Sequence, residues 1–491
     1  MIVPHAHVKE FQSAPIAKSS VSSCSSATPA APDRHGRDEQ DRAETSKRRR
    51  WKRALKALRP NRLVKILSGA ATVWFFLPEK SDTASTIHRT FSRHAWRDGS
   101  AADRALLCVG TLVWIPATLV LIVLCVRKAG PRVKAQTGKG ILRQAAEQAR
   151  LAYLEGVPPP WYYVFEFHAD DKRQRALEYL YRQETKDAIY DVMRRQLSLA
   201  ESTDALSNKV EFVRRCSANG LAVVGALATA DAGHVEMSDG ATALPQRDLF
   251  LKPVRGAGGR GAERWCHEGA GTYRNHAGKE LTADGLLSHV ENLSRIEPYV
   301  VRPCVRNHPD ILDLSPFALS TIRLVTIRDE AGAIEVTHAF MRMARAADVV
   351  VDNFHAGGVA AKVDLATGRL GRASDMGLSA TSRWWDVHPA SGAAILGRKI
   401  PHWDEVLSLA RRAHAVWSDQ VTIGWDIAVL DDGPVLVEGN KSPDLDIIQR
   451  ICEEPLGNGR FGDLLLFHLR RALEARAPGA DALASGRLSQ A

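Results

Sequence analysis

The chain has 491 residues, 45% hydrophobic and 25% charged, a composition of folded protein with room for two or three domains. Its net charge of +10 is equalled by residues 47–65, KRRRWKRALKALRPNRLVK, which hold ten Lys or Arg and no acid, so no basic surface runs through the remainder and specific nucleic-acid binding is not expected. Seven cysteines without CxxC or finger spacing argue against a disulfide framework and structural zinc, and point to a reducing compartment.

In chain order, residues 1–46 are rich in Ser, Ala and charge and read as a disordered tail. Residues 47–104 read as a basic, membrane-proximal segment. Trp51, Leu55 and Leu58 fall on one helical face, which suits an amphipathic stretch held on anionic lipid; a nucleic-acid-binding tail is the rival reading. Ile66 to Leu77 is uncharged for only 12 residues, too short to span, and is expected to lie in the interface or re-enter.

Ala105 to Val126, ALLCVGTLVWIPATLVLIVLCV, has 22 residues without a charge. At 1.5 Å per residue that is roughly 33 Å, enough for a bilayer core of about 30 Å, and a transmembrane helix over 105–126 is expected, with a buried core helix as the alternative. It starts too far from Met1 for a cleaved signal peptide. Six Lys or Arg follow it between Arg127 and Arg143 and four precede it between Arg89 and Arg104, which places the C-terminal bulk on the cytoplasmic side of the inner membrane.

Residues 127–200 read as a helical linker region, with patterns at Ile141 to Leu154 and Asp171 to Gln196 and packing roles for Tyr179, Tyr181 and Tyr190. Residues 201–472 read as an α+β domain and 473–491 as a tail. Asn208 with Glu211 makes a capping box for a helix that stops at Asn219-Gly220. Strands are expected at Leu221 to Ala228, Asp248 to Val254, Thr321 to Arg328, Ile334 to Arg345 and Gly358 to Asp364, then a helix at Asp404 to Ser418.

The last strands are GWDIAVLDDGPVLVEGN, residues 424–440, a hairpin around Asp431 to Gly433. With a three-residue loop, Asp426 faces Glu438, and Asn440 projects from the same side. Opposed carboxylates destabilise a sheet unless a cation sits between them, and this all-oxygen set suits Mg²⁺ or Mn²⁺; the alternative is a solvated strand. In DLFLKPVRGAGGRGAERW, residues 248–265, Gly256, Gly258 and Gly261 match G-x-G-x-x-G, yet no helix opens there and no Gly-Lys-Ser/Thr follows, which argues against Rossmann and P-loop sites. What remains is a flexible glycine loop leaving a strand that carries Lys252, able to close over phosphates, or else merely a mobile hairpin.

Lys252 with its glycine loop, Thr321-Ile322-Arg323, Asp426 and Glu438-Gly439-Asn440, in that order, resemble the ATP-grasp fold, two α+β subdomains clasping ATP. NHPDILDLSPFALSTIRLVT, FHAGGVAAKVDLATGRLG and GWDIAVLDDGPVLVEGNKSPDLD resemble its sugar-transfer-associated group, related to α-L-glutamate-ligase-like proteins, over roughly residues 140–470. The resemblance implies that Lys209 and Lys252 bind ATP phosphates under a lid of Gly256, Gly258, Gly259 and Gly261. It further implies that Arg323 faces the transferring phosphoryl group, while Asp426, Glu438 and Asn440 hold Mg²⁺. The acidic linker residue common in such enzymes has no counterpart: Arg302 and Pro303 stand there, leaving backbone near Val301 to read adenine. Isolated histidines such as His308, His355 and His388 are more often structural than substrate-binding, and Trp384 and Trp385 suit packing as well as sugar stacking. The implied activity is a membrane-anchored carboxylate–amine ligase working through an acylphosphate on a small or glycan-linked envelope precursor. A nucleotide-binding regulator without turnover and a phosphotransferase to a sugar hydroxyl are the alternatives.

Overall fold

The computed structural model describes residues 70–78, 80–97, 101–256, 259–275, 277–316, 318–345, 358–378 and 383–475. The expected N-terminal tail, the basic run, nearly all of the expected C-terminal tail, Gly258 and His355 lie outside them.

A helical layer comes first: α1 (Ala70–Phe75), α2 (Thr83–Arg97), α3 (Ala101–Thr137) and α4 (Ile141–Glu155). The uncharged run at 105–126 sits inside α3, whose segment Leu107–Thr137 is long and apolar enough to cross a membrane. The helical pattern at 171–196 is not one helix. Tyr179 to Tyr181 leave helical conformation and insert their rings beside Trp74, Phe165 and Phe167, which breaks the run into short pieces ending in α5 (Tyr190–Leu197). After α6 (Ala200–Ser207), Asn208 Oδ1 accepts from Val210 N at 3.0 Å and Glu211 N at 3.3 Å to start α7 (Lys209–Ala218). The other half of the capping box is not made, because Glu211 pairs with Arg214.

Two seven-stranded antiparallel sheets follow. The first lobe orders its strands β2-β1-β7-β3-β4-β5-β6, from β1 (Ala228–Asp231), β2 (His234–Met237), β3 (Leu249–Pro253), β4 (Glu263–Gly269), β5 (Thr272–Asn275), β6 (Glu280–Thr282) and β7 (Tyr299–Pro303). The helix α8 (Ala283–Ser294) covers it, packing Leu286 and Val290 on Leu249, Leu251 and Trp265.

The second lobe has the order β12-β11-β10-β9-β8-β13-β14, from β8 (Thr321–Arg328), β9 (Ile334–Met343), β10 (Val359–Val363), β11 (Leu370–Ser374), β12 (Trp384–Trp385), β13 (Thr422–Leu430) and β14 (Gly433–Asn440). Both its faces are covered, so β8 and β13 are buried almost throughout, as sheets sandwiched between helices require. On one face Ile322, Leu324 and Trp425 meet α9 (Trp403–Val416); on the other Val325, Ile327 and Phe340 meet α10 (Leu445–Cys452) and α11 (Arg460–Glu474). The strand expected at 221–228 becomes one only at Ala228. Before that the chain runs beside β14, with Val224 N donating to Leu436 O and Leu436 N to Ala222 O, both at 2.9 Å, and so joins the lobes.

Candidate functional site

The site is built on a row across three strands of the second lobe, where Arg323 of β8, Asp426 of β13 and Glu438 of β14 are register partners. Asp426 faces Glu438 as the hairpin reading expects, but for a different reason. The turn has two residues, Leu430 pairing with Gly433, and a bulge at Val437 restores the pairing beyond it. Gly433 sits at φ +122°, a conformation that favours glycine. Ile322 and Leu324 point into the α9-side core, so Arg323 and its row face the opposite side, ahead of α10.

Asp426 is buried at 2% exposure and already has cations on it: Arg323 Nε bonds Oδ1, Arg323 Nη2 donates to Oδ2 at 3.1 Å, and Arg342 Nη2 donates to Oδ2 at 2.8 Å. Burial alone would raise this carboxyl, yet the two guanidinium groups hold it well below the usual carboxylate range. The charge that relieves the Asp426–Glu438 opposition is therefore guanidinium from the neighbouring strands, a source the hairpin alone did not reveal. Glu438 is differently placed. It accepts from Asn440 Nδ2 at 3.4 Å and enters no ion pair with a described residue.

The facing wall comes from the start of α7, which packs on the second lobe, and from β3 and the glycine loop of the first. Lys209 opens α7 and directs Nζ to the carbonyls of Val254 at 3.3 Å and Gly256 at 3.2 Å, at the root of the glycine loop. Burial lowers its pKa. Lys252 projects from β3 and makes no hydrogen bond or ion pair with a described residue; burial, with the Arg302 guanidinium nearby, pulls it down to about 7. Gly256, Gly259 and Gly261 have φ of +147°, +74° and +70°. At Gly261 a Cβ would lie 2.8 Å from Tyr299 Oη, so only glycine fits where the loop folds back onto β7.

Both walls enclose one cavity of about 700 Å³, lined by Lys209, Lys252, Gly256, Gly259, Arg323, Asp426, Glu438 and Asn440. Gly261 is outside the lining and supports the loop. Ten Lys or Arg and four acidic side chains line the space, an imbalance suited to a polyanion. For a divalent cation the donor chemistry fits at Glu438 and Asn440, which line the cavity and carry side-chain oxygens. A carboxylate has about four acceptor positions, and three on Asp426 are taken, leaving one. Among the described residues no three His, Cys, Asp or Glu side chains gather at metal-binding distance.

Several lining residues escaped the sequence reading. Arg342 comes from β9, two positions from Phe340, the register partner of Arg323. Arg302, buried at 2%, bridges the lobes, and burial draws it down to about 10 against the raising influence of Glu438. Arg182 and Lys186 reach the cavity from the helical region, where both pair with Asp444 ahead of α10.

Other candidates lie elsewhere. His308 caps a short helix, its Nδ1 accepting from Asp310 N at 3.1 Å, and His388 is buried with Nε2 on Ala344 O at 3.0 Å. Trp384 donates to Glu166 at 2.9 Å and carries Arg450 4.7 Å from its ring centroid, a packing arrangement. Val301 does not face the cavity: it is buried between β1 and β3, and its carbonyl accepts from Leu227 N at 2.8 Å. Next to it, the stretch from Arg302 to Asn307 lines the cavity.

Two α+β lobes holding a cationic cavity between a glycine loop and a carboxylate row define a nucleotide-clasping fold. A family model described as sugar-transfer-associated ATP-grasp matches residues 193–458, more than half of the chain, and the protein belongs to that family. Among solved structures it is similar to D-alanine–D-alanine ligase from Bacillus anthracis complexed with ATP, at 12% identity and TM-score 0.33 over 56% of this chain and 70% of that one. It is also similar to L-amino acid ligase from Bacillus licheniformis, at 11% identity and TM-score 0.32 over 56% and 51%. An ADP complex of N5-carboxyaminoimidazole ribonucleotide synthetase matches at 11% and 0.30 over 49% and 46%, so the chain spans about half the length of these last two. No functionally curated protein matches.

Proposed function

We propose that the protein is an ATP- and Mg²⁺-dependent ligase of carboxylate–amine type, acting at the inner face of a membrane on a cell-envelope or exopolysaccharide precursor. The observation that carries this is the juxtaposition, in one cavity, of Lys209, Lys252 and the glycine loop with Glu438, Asn440 and the Arg323–Asp426 pair. Lys209 and Lys252 bind the triphosphate and Gly256 to Gly261 cover it. Glu438 and Asn440, with the remaining acceptor position of Asp426, would hold Mg²⁺, with Mn²⁺ as a substitute. Bound there, the metal would supply charge neutralisation for the phosphates. Arg323 and Arg342, fixed on Asp426, point positive charge at the place where a substrate carboxylate takes the γ-phosphoryl group and ADP leaves. An amine then attacks the acyl carbon and phosphate departs. Beyond this row the cavity continues past Thr321, Phe340, Ile447, Arg182 and Lys186, and there we place the second substrate. The apolar helix α3 accounts for membrane association.

Calorimetric titration of the full chain with Mg-ATP tests the reading; saturable binding is expected and its absence overturns it. With candidate acceptors, ADP release and an amide product by mass spectrometry are expected. A phosphate ester identifies a phosphotransferase instead, and binding without turnover a regulator.

A further inference from the structure

α3 has two faces between Leu107 and Val126. Leu107, Trp114, Thr118, Ile122, Val126 and Val133 recur at helical spacing and are buried, while nine large apolar side chains between Val109 and Leu124 are 40–70% exposed and form a broad stripe. The buried face is bonded to its neighbours. Thr72 of α1 meets Thr111 at 2.7 Å, Tyr153 of α4 donates to Ile115 O at 2.6 Å, and Gln144 of α4 donates to Gly130 O at 3.2 Å. α4 therefore runs antiparallel beside the stretch of α3 that could span. α1 is tied in turn to the folded body, since Trp74 stacks on His88 and Tyr181 with ring centroids 4.5 and 5.9 Å away.

We infer that α3 lies along the surface of an anionic bilayer, with its exposed stripe immersed, and does not stand across the membrane as a lone rod. This rests on the membrane association proposed above and adds its geometry. An upright α3 would carry α4 with it and take Arg150 and Glu155, which flank Tyr153 alongside the uncharged run, to hydrocarbon depth, where charged side chains are strongly disfavoured. Lying flat, the helix immerses only its apolar stripe, about 5–10 Å deep. Phe76, 77% exposed just beyond α1, adds an apolar side chain outside α3. Exposed Arg104, Arg127, Lys128 and Lys134 stand at either end of the stripe, and the basic run at 47–65 adds ten cations upstream, complementary to anionic headgroups. Both ends of α3 then share one side of the membrane, which reconciles the basic run before it with a cytoplasmic body after it.

Reporter cysteines at Arg104→Cys and Lys134→Cys, introduced singly into the full chain with Cys108 and Cys125 changed to Ser, test the geometry. A membrane-impermeant maleimide is expected to label both from the cytoplasmic side, at rates within about threefold, and neither from outside. Labelling of the two positions from opposite sides overturns the inference. With vesicles of phosphatidylcholine and phosphatidylglycerol, Leu112→Glu with Leu124→Glu is expected to lower flotation at least tenfold at unchanged Mg-ATP affinity. A wild-type chain that fails to float and forms a stable dimer, a second copy covering the stripe, also overturns it. Flotation without Mg-ATP binding would remove the ligase reading and leave this one standing.

Discussion

Arg302 Nη1 donates to the carbonyl of Val437 at 3.1 Å, and Val437 is the residue that the bulge between β13 and β14 leaves out of the ladder. A guanidinium from the first lobe is thereby fastened to the strand of the second that carries Glu438 and Asn440. Arg302 Nη2 also holds Lys209 O at 3.2 Å, so one buried side chain sets the spacing between lysine wall and carboxylate row. Arg302→Ala removes two charge-assisted hydrogen bonds that tie β14 to the start of α7, at a cost of about 3–5 kcal/mol. Urea unfolding should show the loss and calorimetry a weaker Mg-ATP affinity. An unchanged midpoint would refute the bridging role.

On the proposed reading, in which Lys252 meets the triphosphate, ATP binding should depend on pH. With its folded pKa near 7 against an ordinary 10.5, the empty protein loses this charge as pH rises through 7. Bound phosphates favour the charged form, so binding at pH 8 takes up a proton and affinity falls from pH 6 to 8.5. Titration in buffers of different ionisation enthalpy measures the uptake. Lys252→Arg should flatten the profile. The same shift means that the folded chain binds fewer protons than the unfolded one between pH 7 and 10.5, so this residue makes stability rise with pH across that window, a slope that Lys252→Met removes.

Asp426 and Glu438 separate folding from function. Asp426→Asn leaves the Arg323 and Arg342 guanidinium groups without their buried counter-ion, and unfolding free energy should drop by about 3–5 kcal/mol at neutral pH. Because the folded pKa is depressed, that contribution exists above the unfolded value of about 3.9 and fades as pH falls below it. Glu438→Gln breaks no ion pair with a described residue, so stability should change by less than about 1 kcal/mol while Mg²⁺-dependent turnover falls about a hundredfold or more. Equal destabilisation by both variants would contradict this division.

The contrast shows what sequence could carry. β8 was legible to the residue because Thr321 to Arg328 is an unbroken β-prone run; Lys252 and the hairpin acids stood out on local elements with their own pattern, Lys209 entered only through the family resemblance, and all of them line one cavity. Val437 was not: a bulge changes register without a compositional signal, and two offsetting errors, in loop length and in bulge, gave the correct partner for Asp426. β4, β5 and β6 were missed because glycine and alternating polarity hide short strands in a half-exposed sheet. Arg342 was invisible because its relation to Asp426 exists only through two strand registers, and helical periodicity obscured the aromatic break that brings Arg182 and Lys186 to the cavity.

Those last two residues give a test of where the second substrate sits. Arg182 Nη1 pairs with Asp444 at 3.0 Å and Asp446 at 3.4 Å, and Lys186 pairs with the same Asp444, so the helical region and α10 close one end of the cavity with a partly exposed charge cluster. Lys209 and Lys252 make no hydrogen bond or ion pair with this cluster. The double variant Arg182→Gln, Lys186→Gln, which keeps hydrogen-bond donors for Asp444 and Asp446, should therefore bind Mg-ATP within about twofold of wild type, because none of these pairs touches the lysine wall. ADP release driven by acceptors from a membrane extract should fall at least tenfold. A parallel loss of ATP affinity would place these cations on the nucleotide instead, and the order of substrates along the cavity would have to be reversed.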